Sequence, residues 1–103
     1  MTSIKSTRDN PLDEIDRLEV ILRKYLPMLK AKKRSMIALH LSDIAGEVPH
    51  YEKWYSALAR SEEISEDDLI ECMEALEVSV LHMLSHMKDL KPLLGKAVNA
   101  LPE

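Results

Sequence analysis

Apolar residues recur along this chain at steps of three and four, the spacing that lines one face of an α-helix. Leu12, Ile15, Leu18, Leu22, Tyr25 and Leu29 form the first such stripe. Asn10 is placed to cap it, Pro11 takes the first helical position, and acidic residues fill the first turn. Pro27 falls inside the stripe, where its missing N–H and its ring kink the helix or end it near residue 26. Ile37, Leu41, Ile44 and Val48 make a second stripe, with Gly46 as its expected C-cap. Pro49 then opens a short segment in which Tyr51, Trp54, Tyr55 and Leu58 share one side. So short a helix needs tertiary contacts to persist.

The most regular pattern comes last. Ser65, followed by Glu66, Asp67 and Asp68, reads as a capped helix start matched to the helix dipole. Leu69, Met73, Leu76, Val80, Met83, Met87, Leu90 and Leu94 follow at alternating steps of four and three, a heptad seam of the kind used in helical bundles. Pro92 and Gly95 are expected to bend or interrupt it. The spacing therefore predicts an all-α fold: a small bundle of three to four helices at about 10–26, 28–46, 50–61 and 65–91, the last long and heptad-patterned. Residues 1–9 read as a flexible tail and 10–103 as one domain.

Composition supports this reading. Apolar residues make up 46% of 103 positions, enough for a single core without staples. Cys72 is the sole cysteine, which excludes an internal disulfide or a CxxC site and suits a reducing compartment. The N-terminus lacks an apolar signal region. The longest uncharged run, 78–87, falls far short of the roughly 20 residues of a membrane span. The expectation is a cytoplasmic protein with no membrane contact.

Net charge is −4, which argues against nucleic acid as partner. Its distribution is uneven. No acid lies between Glu19 and Asp43, a stretch holding Arg23, Lys24, Lys30, Lys32, Lys33 and Arg34. No lysine or arginine lies between Arg60 and Lys88, a stretch holding eight acids from Glu62 to Glu77. These complementary stretches are expected to lie close together, within a chain or across a dimer.

Three groups of residues are candidates for function. His82 and His86 stand one helical turn apart, and with His40 they could form a metal or haem site. Against this, position 83 is Met rather than the Glu of a zincin, a single Glu-x-x-His spacing (Glu47 and His50) occurs where a di-iron site needs two, and the c-type haem motif is absent. Tyr51, Trp54 and Tyr55 concentrate three of the four aromatics in "YEKWY", either as a plug on the bundle or as a partner-binding hot spot. Val78, Val80, Leu81, Met83 and Leu84 point almost all round their helix, which calls for burial on every side. A second copy of the chain covering Leu81 and Leu84 would supply it.

The segment "SDIAGEVPHYEK" (42–53) resembles the joint between the helices of a small two-helix family encoded beside nitrogenase genes. That likeness implies a helical joint there and no function. No Ser/His/Asp constellation or Gly-rich phosphate loop is present, so the chain is read as non-catalytic, without cofactor. The expected role is protein–protein interaction, as a small regulatory, adaptor or chaperone-like module that forms a homodimer; its other protein partner is unknown. The alternative is a metal- or haem-binding bundle using His40, His82 and His86.

Overall fold

The computed structural model describes residues 11–101. They form three helices, α1 (Pro11–Tyr25), α2 (Ala31–Ala59) and α3 (Glu66–Ala100), and no strand occurs among the described residues. The expected tail and the Asn10 cap lie outside that range. Asp13 and Glu14 sit in the first turn of α1 and Arg23 and Lys24 in its last, each matched to the helix dipole. Pro27 ends this helix rather than kinking it. The loop that follows is held from α2: the Arg34 guanidinium donates to the carbonyls of Leu26 (3.3 Å), Pro27 (3.5 Å) and Leu29.

The two middle segments of the sequence reading merge. α2 runs unbroken from Ala31 to Ala59, so Gly46 is not a C-cap and Pro49 does not open a new helix. Gly46 keeps a negative φ, and a Cβ added there would meet nothing within 4 Å. Nothing at that position turns the chain. Proline in a helix interior costs about 3 kcal/mol, and packing along α3 offsets it. The joint implied for residues 42–53 is absent. α3 likewise passes through Pro92 and Gly95 to Ala100, well beyond the expected end at 91. Its start is as expected, with the Ser65 hydroxyl accepting from the Asp68 N–H at 3.1 Å.

α2 and α3 form an antiparallel hairpin, and α1 packs on α2 without a close approach to α3. The apolar core gathers at one end of the hairpin. Leu26, Ile37, Leu90, Leu93 and Ala97 are buried there, with Leu22, Leu29, Met36, Leu41 and Ile44 against them. α3 does not bury the expected heptad seam. Leu69, Met73, Val80, Met87 and Leu94 are exposed, whereas Cys72, Ser79, Leu90, Leu93 and Ala97 are buried. Leu76, Met83 and Leu90 belong to both faces, so the helix is turned about one position from expectation. The cause is polar. His40 and Glu47 on the inner side of α2 need hydrogen-bond partners, and the column holding Ser79 and His86 supplies them.

Within one chain, antiparallel packing keeps the two complementary stretches apart. The basic start of α2 lies beside the end of α3, where Lys33 and Lys96 line one groove, and not beside residues 62–77. The acidic start of α3 lies against Trp54 and Ala57 instead. Like charges collect at each end of the hairpin.

Candidate functional site

His40, His82 and His86 do come together, between the middle of α2 and the middle of α3. His40 Nδ1 lies 3.0 Å from His86 Nδ1, and His86 Nε2 lies 3.3 Å from His82 Nε2. His82 Nδ1 is 2.8 Å from Glu47 Oε1, and the Ser79 hydroxyl donates to Glu47 Oε2 at 2.8 Å. Asp43 Oδ2 stands 3.7 Å from His86 Nε2. The rings tilt against one another at centroid separations of 5.2 and 5.0 Å.

The end group fixes the direction of this chain. A carboxylate only accepts, so His82 donates from Nδ1 to Glu47. Neutral His82 then accepts at Nε2 from His86, and neutral His86 accepts at Nδ1 from His40. Each tautomer follows from the one before it. Glu47 is held below the ordinary carboxylate range, first by the Ser79 hydroxyl and then by His82, while partial burial pulls the other way.

Facing ring nitrogens about 3 Å apart share a proton between them. Among the described residues no group of three or more His, Cys, Asp or Glu is arranged to hold a metal ion. The contact of Ser79 with Glu47 appears only when two helices far apart in sequence are laid side by side.

Tyr51 and Tyr55 stack with centroids 6.1 Å apart, and Lys53 Nζ lies 5.1 Å over the Trp54 ring. Tyr55 is half exposed, whereas Tyr51 and Trp54 are partly buried. The three are therefore not a single plug: only part of the group packs on the bundle.

The outer face of α3 is the larger feature. Leu81 and Leu84, expected at an interface, are 58% and 53% exposed. Leu84 belongs to a second row with three- and four-residue steps: Ile70, Met73, Glu77, Val80, Leu84, Met87, Lys91, Leu94, Val98 and Leu101. All its apolar members are exposed. Four of its members, Met73, Val80, Met87 and Leu94, belong to the heptad seam expected to face the chain's own core, whereas Ile70, Val98 and Leu101 lie outside that seam. Their signal was present as a repeat, but two overlapping repeats on one helix look alike in sequence. No helix among the described residues is long and apolar enough to cross a membrane.

No family model matches this sequence, and neither the curated proteins nor the solved structures contain a match.

Proposed function

We propose that this protein is a non-catalytic interaction module, of regulatory, adaptor or chaperone-like type, that pairs with a second copy through the outer face of α3. The observation that carries this is the exposed row from Ile70 to Leu101, apolar except at Glu77 and Lys91. An apolar stripe of that length in water favours a partner helix. The two charges say which partner and which direction. Glu77 and Lys91 lie seven residues either side of Leu84, about 10 Å along the helix in each direction. An antiparallel copy crossing near Leu84 sets each Glu77 level with the partner's Lys91. A parallel copy sets like charge on like charge at both positions. Glu74 and Lys88, beside the row, are related in the same way about Leu81.

Leu81 and Leu84 thus stand at the centre of the proposed interface. Tyr51, Trp54 and Tyr55 are the proposed contact for a protein other than a copy, since Trp and Tyr are favoured anchors at interfaces. The imidazole chain is read as the polar clasp of the hairpin, in preference to a metal or haem site. A free Cys72 fits a cytoplasmic setting.

Charge reversal tests the arrangement. Glu77→Lys and Lys91→Glu alone should each weaken the dimer by about tenfold or more, as like charges meet in a desolvated seam. The double reversal should restore it. A double variant no better than either single one would contradict the antiparallel pairing.

A further inference from the structure

Where α2 begins and α3 ends, an open groove of about 600 Å³ runs between them. Lys30, Lys32 and Lys33 border it on one side and Lys88 and Lys96 on the other, with Asp89 as the opposing acid. Met36, Pro92 and Leu93 supply its apolar wall. Packing within the chain does not account for so many cations in one place. The antiparallel hairpin brings like charges together here, with Lys33 and Lys96 on the two sides of the groove. Ammonium groups are donors only and offer one another no acceptor. Lys96 holds the Lys33 ammonium below its ordinary value, with Lys30 and Lys32 adding smaller repulsions. An anion placed among these groups supplies the missing acceptor.

We infer that this groove binds a phosphorylated small molecule carrying two or more phosphate groups, with its apolar part against Met36, Pro92 and Leu93. Lysine is a compact, strongly hydrated charge that suits phosphate. The groove has the volume of small-molecule sites, which run about 300–1,000 Å³. Five lysines exceed what a singly charged anion needs. A long polyanion is a poorer fit, because the molecule is acidic overall and its far end carries residues 62–77. Within one chain, a compact ligand meets only the basic end. The groove opens on a different flank of α3 from the row proposed to pair with a second copy, so this inference does not depend on that pairing.

The test is a titration of the full chain with inorganic pyrophosphate and tripolyphosphate at constant ionic strength, followed by calorimetry and by melting temperature. Both should bind and raise the melting temperature, tripolyphosphate more strongly. Lys33→Gln and Lys96→Gln should each weaken binding about tenfold. Both variants relieve repulsion, so without ligand they should melt no lower than wild type. Arg23→Gln with Lys24→Gln, outside the groove, should bind as wild type does. An equal rise in melting temperature from sodium chloride at matched ionic strength would mean simple screening and would overturn the site. So would unchanged binding in the Lys33 and Lys96 variants, or no binding at millimolar ligand. A short RNA duplex that binds through the same lysines more tightly than tripolyphosphate, with steep salt dependence, would replace the small molecule by nucleic acid.

Discussion

Glu47 has both carboxylate oxygens engaged across the hairpin, one by Ser79 and one by His82. Its carboxyl titrates lower in the folded chain than in the unfolded one. It therefore adds stability above about pH 4.5, and that contribution fades as the pH falls through the folded value. Ser79 is 2% exposed, so Ser79→Ala leaves a carboxylate oxygen without its donor in a largely dry place. The variant should lose about 1–3 kcal/mol at neutral pH. Urea denaturation across the acid range should show the gap from wild type narrowing once Glu47 is protonated; a gap constant with pH would contradict this role. The glycines lead to an opposite expectation. Gly46 and Gly95 sit inside helices with no positive φ, and an added Cβ meets nothing within 4 Å at either position. Gly46→Ala and Gly95→Ala should each stabilise by about 0.5–1 kcal/mol, read from the same denaturation curves.

Among the elements, the loop between α1 and α2 depends on one side chain from the next helix. Arg34 donates to the carbonyls of Leu26, Pro27 and Leu29 in that loop, and the Leu26 carbonyl also accepts from the Leu29 N–H. Arg34→Ala should cost about 1.5–3 kcal/mol. Arg34→Lys should recover only part, because an ammonium cannot reproduce the planar fork. Thermal melts of the two variants check this, and an alanine variant that melts like wild type would contradict it. How much of these elements was legible in sequence differs from helix to helix. The stripe from Leu12 to Tyr25 and the stop at Pro27 carried α1, because a proline that ends a helix acts locally. The Ser65 cap marked the start of α3 for the same reason. Gly46, Pro49 and Pro92 misled, since whether a helix continues through such residues depends on packing against a neighbour. The rotation of α3 was hidden too. Ser79 and His86 look like poor core residues until His40 and Glu47 are set opposite them. The three histidines were recognised as a group, but their hydrogen-bonded order was not, because it depends on distances of a few tenths of an ångström.

At the scale of the molecule, the described residues form a long, thin body, 54 × 36 × 23 Å, with a radius of gyration of 17.4 Å. A compact chain of this length has a radius near 13 Å. The excess follows from the hairpin: α3 has 35 residues and is packed along one side only. The rest of its surface is left to water, and the row from Ile70 to Leu101 runs along one flank of it. The chain is also basic at one end of the hairpin and acidic at the other, which favours two copies lying head to tail. One measurement addresses this directly: sedimentation equilibrium of the wild-type chain, with Leu84→Glu beside it, over micromolar to high micromolar concentrations. Wild type should fit a dimer. Leu84→Glu, which puts a charge at the centre of the seam, should fit a monomer that keeps its helical circular dichroism. A wild-type protein that remains monomeric at high micromolar concentration would contradict the pairing of α3 with a second copy.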